Sequence, residues 1–228
     1  GSQKYGALVW SGDIKSSFPS MKNQVAAGLN MGIAGIPWWT TDIGGFFGAN
    51  INDPEFHELL VRWFEYGCFC PVMRLHGYRW PLQPQYGTTG GATCVSGAPN
   101  EVWSYTDQVC EILSDYLRLR ERMLPYITEL MEEAHEKGTP VMRPLFYDFP
   151  EDKESWNVET EYMFGPKVLV KPITDADARE TDVYLPGGAS WTNAWTGETF
   201  EGGQKVHVAA PIEQIPLFTR DGYKLPMK

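Results

Sequence analysis

Three short apolar runs, each breaking into a loop that carries polar groups, constrain this chain more than any other feature. Ala7-Leu8-Val9-Trp10 leads into Ser11-Gly12-Asp13. Ile33-Ala34-Gly35-Ile36-Pro37 leads into Trp38, Trp39 and Asp42-Ile43-Gly44-Gly45, and Pro71-Val72-Met73-Arg74 is followed by His76. Runs of this length bounded by glycine or proline read as buried strands whose ends deliver side chains to one rim. Helical signals separate them. Ser17-Phe18-Pro19-Ser20 has helix-start character, and Met21, Val25 and Leu29 then fall near helical spacing, so a helix of about three turns is expected from Ser20. Asp53-Pro54-Glu55 supplies an N-cap, a proline at the first helical position and an acid favoured by the dipole, with Phe56, Leu59, Leu60, Trp63 and Phe64 marking one face. After the third run, 78–100 is a long loop rich in Gly, Pro, Thr and Gln. Tyr105 to Lys137 is then strongly helical, with Pro125 expected to kink or split it and Gly138 to stop it.

Strand and helix thus alternate three times, the pattern of parallel crossover units. Three strands are too few to close a barrel or to cover both faces of a parallel sheet, and an open edge exposes unpaired backbone groups. The simplest expectation is that this chain is the C-terminal piece of something larger.

Beyond Gly138 the pattern changes. Val141-Met142, Tyr162–Phe164, Val168–Val170, Thr181–Leu185, Trp191–Trp195, Lys205–Val208 and Ile215–Phe218 are short strand candidates separated by Gly165-Pro166, Pro186-Gly187-Gly188, Gly197 and Gly202-Gly203. This is the spacing of an antiparallel β-sandwich. The fold class is therefore α/β followed by all-β, with one unit over residues 1–138 and a β-sandwich over 139–228, a division that suits a chain of 228 residues.

Charge and cysteine usage exclude several functions. The formal net charge is -10 with no basic cluster, so the positive footprint that nucleic-acid binding requires is missing and an anionic membrane is disfavoured as a partner. Cys68 and Cys70 lack the two-residue spacer of redox and zinc motifs, and together with Cys94 and Cys110 they read as mostly buried thiols. No phosphate loop, nucleotide fingerprint or Ser/His/Asp arrangement occurs. Neither a metal nor an organic cofactor is implied.

Four motifs in order carry a family resemblance across nearly the whole chain: Trp10-Ser11-Gly12-Asp13, Trp38-Trp39-Thr40-Thr41-Asp42-Ile43-Gly44-Gly45-Phe46, Arg74-Leu75-His76-Gly77 and Pro140-Val141-Met142-Arg143-Pro144-Leu145. Together they resemble glycoside hydrolase family 31. The resemblance implies a catalytic (β/α)8 barrel, of which this chain holds strands six to eight, followed by a β-sandwich. It implies that Asp13 is the general acid/base of a retaining exo-acting α-glycosidase, and that Asp42, Arg74 and His76 hold sugar hydroxyls. Trp10, Trp38, Trp39 and Phe46 are expected, from the chemistry of their rings, to line the substrate as well. The form Trp38-Trp39-Thr40-Thr41 is similar to the branch containing α-xylosidases that trim xyloglucan, with α-glucosidase the nearest rival. The family's nucleophile, an aspartate at the end of barrel strand four, has no position here. The isolated chain is thus expected to be inactive, its partners being an α-linked oligosaccharide and the missing N-terminal part of the same enzyme.

The residue chemistry agrees with those roles, since barrel enzymes place catalytic groups at the C-terminal ends of strands. Indole faces suit the C–H side of a pyranose, and charged groups suit its hydroxyls. Other readings stay open. Asp13 after Gly12 can be a turn residue or N-cap, Asp42 an Asx-turn, Arg74 a structural ion-pair residue and His76 a satisfied loop histidine. Trp38 and Trp39 face opposite ways on an extended chain, so one should line the site and the other belong to the core. Arg118, Arg120 and Arg122 read as a solvated or interdomain face. A non-catalytic carbohydrate-binding or assembly module is the alternative from a different functional class.

Overall fold

The computed structural model describes residues 2–85, 87–89 and 97–227. Cys94 and part of the loop over 78–100 lie outside the described residues. In chain order the elements are β1 (Val9–Trp10), α1 (Phe18–Ile33), β2 (Trp39–Thr40), β3 (Ala49–Asn50), α2 (Pro54–Cys68), β4 (Arg79–Trp80), α3 (Asp107–Arg122), α4 (Leu124–Lys137), β5 (Met142–Pro144) and α5 (Leu145–Asp148). There follow β6 (Tyr162–Phe164), β7 (Val168–Val170), β8 (Glu180–Leu185), β9 (Ser190–Asn193), β10 (Thr199–Glu201), β11 (Gln204–Ala209) and β12 (Leu217–Arg220).

The first half is built from parallel neighbours, as the alternation predicts, but two of the three strand positions need correction. The run from Ile33 does not begin a strand. Ser17 caps α1 through Ser20 N and Pro19 sits in its first turn, so the helix starts at Phe18 and continues for 16 residues through Ile33. Only Gly35, at φ +80°, turns the chain. Pro37 has no N–H to donate, and the ladder forms just after it, with Val9 opposite Trp39 and Trp10 opposite Thr40. Residues Pro71–Arg74 likewise form no ladder. They run beside β2 through Val72 N to Trp39 O and Thr40 Oγ1 to Val72 O, and a single parallel bridge joins Ile43 to Leu75. The pairing resumes beyond the rim, where β3 pairs with β4, a ladder that no apolar run in the sequence announces.

The helices follow their signals closely. Asp53 accepts Glu55 N at the start of α2. The predicted break near Pro125 falls at Met123, between α3 and α4, and Gly138 closes α4 in the left-handed conformation. Arg120, by contrast, does not ride a solvated face. It donates to the carbonyl of Cys68, the last residue of α2, and to those of Cys70 and Pro71 just beyond it, and burial lowers its pKa.

The second half is antiparallel. Its main sheet has the order β10-β9-β12-β7-β6-β5, with β8 and β11 forming a separate pair against one face. β10 is a strand beyond those expected from the sequence. Alternation along the strands supplies two cores from one sheet. Met163, Leu169, Trp191 and Phe218 face Val183, Leu185 and Val206 of the separate pair, whereas Tyr162, Phe164, Val168, Val170 and Leu217 face the helices.

Buried polar groups stitch the sheet to the helices. Arg62 on α2, fully buried, donates to Glu65 and to the carbonyls of Ala178, Ala210, Pro211 and Gln214. Tyr116 on α3 donates to Glu65 Oε1 and Glu213 O, and its hydroxyl accepts Ile215 N. Burial pushes the Glu65 carboxyl up to about 8 and the Cys68 and Cys70 thiols up to about 12.

Candidate active site

The rim is assembled where the parallel neighbours run out. Gly12, at φ +75°, turns the chain after β1 and leaves Asp13 exposed on the loop. That loop is fastened to the one after β2 by backbone bonds: Phe46 N and Phe47 N both donate to Ile14 O, and Ser16 N donates to Phe47 O at 2.8 Å. Gly45 makes this approach possible. A Cβ there would lie 2.6 Å from Ser16 Cα, and its φ is +75°. Above the strands, Ser11 Oγ and Thr41 Oγ1 lie 3.2 Å apart, tying the two loops a second time. Ile43 N donates to Arg74 O, which brings the third segment alongside.

Asp42 is the inward member of the group. It is fully buried, and Arg74 Nη2 donates to its Oδ1 at 2.7 Å. Its Oδ2, also buried, has no hydrogen-bond partner among the described residues. Burial raises the Asp42 pKa, the nearby Asp13 carboxylate adds to the rise, and Arg74, His76 and Arg79 oppose it. The Arg74 side chain is about one-third exposed, so the guanidinium is the polar surface that the pair offers to the rim. His76 is exposed, its ring 5.6 Å from that of Phe46, which stacks in turn on Tyr78. Asp13, Asp42, Arg74 and His76 thus occupy one neighbourhood.

The aromatic candidates separate. Trp39 is buried against α1, where a Cβ on Gly28 would meet its Nε1 at 2.6 Å. Trp38 is half-buried beside Ile127, Met131 and His135 of α4. Trp10, at the end of β1, is 48% exposed and Phe46 is half-buried. Sequence reasoning missed Arg79, which is fully buried beneath the rim. No periodicity marks it, although Gly44 and Gly77, whose missing side chains make room for its guanidinium, are legible as loop glycines.

An exposed carboxyl beside a guanidinium that reaches the rim from a buried carboxylate, with a histidine against an aromatic ring, can donate a proton and bind hydroxyls. A family model described as the glycosyl hydrolases family 31 TIM-barrel domain matches residues 1–130, and one described as the glycosyl hydrolase family 31 C-terminal domain matches residues 138–225. The chain belongs to glycoside hydrolase family 31. The parallel strand and helix portion fits the family's barrel domain, and the mostly antiparallel sheet fits its C-terminal domain. Among curated members, the alpha-xylosidase of Saccharolobus solfataricus is 38% identical over 227 residues, covering 100% of this chain and 29% of that protein. Alpha-glucosidase 2 of Bacillus thermoamyloliquefaciens is 35% identical over 223 residues, covering 97% of this chain and 25% of that one. A solved family 31 alpha-xylosidase from a soil metagenome, complexed with xylose, has a TM-score of 0.94 at 53% identity, covering 99% of this chain and 34% of its own. The chain therefore spans about a quarter to a third of the length of these relatives.

Proposed function

We propose that these residues form part of a retaining exo-acting α-glycosidase that removes terminal α-linked xylose from xyloglucan-type oligosaccharides. In this reading residues 1–138 supply barrel strands six to eight and residues 139–228 the β-sandwich. Asp13 is the general acid/base. Its carboxyl gives a proton to the glycosidic oxygen as the anomeric C–O bond breaks, while a carboxylate from outside these residues attacks the anomeric carbon. Asp13 then takes a proton from the water that releases the sugar. The two carboxyls of a retaining site stand about 5–5.5 Å apart, which leaves no room for that water in the first step. Arg74 and His76 bind sugar hydroxyls, Asp42 holds Arg74 in place, and Trp10 and Phe46 form the apolar walls, with Trp39 supporting the loop from beneath and Trp38 packed beside α4.

The observation that carries the reading is the grouping of exposed Asp13 with the Arg74–Asp42 pair and His76 on adjoining loops of a family 31 barrel segment. The similarity to an alpha-xylosidase crystallised with xylose supports the substrate. The similarity to Alpha-glucosidase 2 favours a second reading, an α-glucosidase using the same residues.

The test is Asp13→Ala in the complete protein, assayed on aryl α-xylosides and α-glucosides with good and poor leaving groups. Loss of the acid should reduce hydrolysis of poor leaving groups by about a hundredfold or more and spare the good ones. Equal loss for both removes Asp13 from the acid role. The ratio of xyloside to glucoside turnover in the unaltered protein decides between the two substrates.

A further inference from the structure

Arg79 is buried completely yet has no carboxylate within ion-pair distance among the described residues. Its guanidinium is spread instead over six oxygens. Nη1 donates to Gly45 O at 2.8 Å, to Ser16 Oγ at 3.3 Å and to Phe46 O at 3.4 Å. Nη2 donates to Ile43 O at 3.1 Å and His76 O at 3.4 Å, and Nε donates to Asn100 Oδ1 at 3.1 Å. One face lies over the Phe56 ring at 4.8 Å. Gly44 and Gly77 close around it, since a Cβ would come within 2.9 Å of its Nη2 at the first and 2.3 Å of its Cζ at the second.

The acceptors belong to four segments: Ser16 to the loop bearing Asp13, Ile43, Gly45 and Phe46 to the loop that follows Asp42, His76 to the third, and Asn100 to the chain just ahead of α3. A planar fork with donors in fixed directions sets angles between such segments, which a point charge or an apolar plug does not. Outside the rim, Tyr105 Oη donates to the same Asn100 Oδ1 and fixes the amide that orients Nε.

We propose that Arg79 is a positioning residue for the reaction: it holds the Asp13, Asp42 and His76 loops in one frame, with Asn100 and Tyr105 as its outer support. The assignment rests on the roles proposed above for Asp13, Asp42 and His76. Arg79 itself touches no substrate.

The test uses the complete protein with Arg79→Lys and Asn100→Ala, the latter freeing Nε and the Tyr105 hydroxyl while leaving both Nη groups bonded, and Asp13→Ala in parallel. The readouts are kcat, KM, the inhibition constant of the free monosaccharide product, and the melting temperature, with kinetics taken well below melting. A misplacement of about an ångström should lower kcat of Arg79→Lys by about a hundredfold and weaken product inhibition about tenfold. Asn100→Ala should move the same two quantities in the same direction by less. A purely structural role moves only the melting temperature, and unchanged kcat and product inhibition in both variants overturn the proposal. If Arg79→Lys does not fold, the kinetics of Asn100→Ala alone decide. Should Asp13→Ala lose activity while the other two keep it, only the Arg79 assignment fails. Should Asp13→Ala itself keep full activity on poor leaving groups, the reading of the rim fails with it.

Discussion

Replacing Arg62 by methionine keeps the apolar bulk of the stem and removes every donor that this side chain supplies between α2 and the segments carrying the sheet. The carbonyls of Ala210 and Gln214, bonded at 2.7 and 3.3 Å, then lose their only donor among the described residues. Those of Pro211 and Ala178 keep a second donor, Gln214 N and Arg179 Nη1 respectively. Two buried acceptors orphaned outright and two charge-assisted bonds weakened amount to about 4 kcal/mol, a large part of a typical domain's stability. Glu65 modulates the loss. Burial already pushes its carboxyl up to about 8, so without Arg62 it stays protonated near neutrality and adds no bare charge until the pH is higher. Urea unfolding followed by circular dichroism, at about pH 6 and about pH 9, should therefore show a large destabilisation that grows with pH. A loss below about 1 kcal/mol, or one of equal size at both pH values, would refute the reasoning.

Glu65→Gln addresses the same group from the other side. The folded-state pKa of about 8 exceeds the ordinary 4.5, so between these values the folded chain holds a proton that the unfolded chain has released, and stability falls as pH rises through that window. Melting temperature against pH should lose this decline in the variant, and an unaltered slope would point to another group. Gly45→Ala should cost more than about 2 kcal/mol, because the new Cβ meets Ser16 backbone at a positive φ; kcat should fall with it, since the Asp13 and Asp42 loops are forced apart. Gly138→Ala, where φ is +72° but nothing lies within 4 Å of a Cβ, should cost only about 1 kcal/mol and leave kcat untouched, as thermal melting and steady-state kinetics would establish.

Elements whose boundaries are set by local chemistry are legible in the sequence. Asp53-Pro54-Glu55, Pro125 and Gly138 each act within one helical turn, and α2, α3 and α4 begin or end where those residues put them. The parallel segments are harder, because their ladders are only two residues long and depend on partners far away in the chain. Ile33 looks like the start of a strand through its apolar neighbours, yet nothing before Gly35 stops α1. The same contrast runs through the site. Asp13, Arg74 and His76 announce themselves by motif, whereas the burial of Asp42 under Arg74 is a fact of packing. Arg62 and Arg79 are invisible in the sequence for a stronger reason. A buried arginine is defined by the carbonyls around it, and for Arg62 those lie up to 152 residues away.

The closeness of α1 to its neighbours bears on how such proteins can be recombined. A Cβ at Gly28 would meet Trp39 and Met142, and one at Gly32 would meet Met142 O and Pro140 at 3.0 Å, so this helix is seated without clearance on β2 and on the start of the sheet. Trp39 lies three residues before Asp42, and Met142 begins β5. In a chimera that joins the sheet of one relative to the barrel segment of another, those two glycines and the Pro140–Met142 stretch must therefore come from the same parent, or the mismatch is passed through Trp39 to the rim.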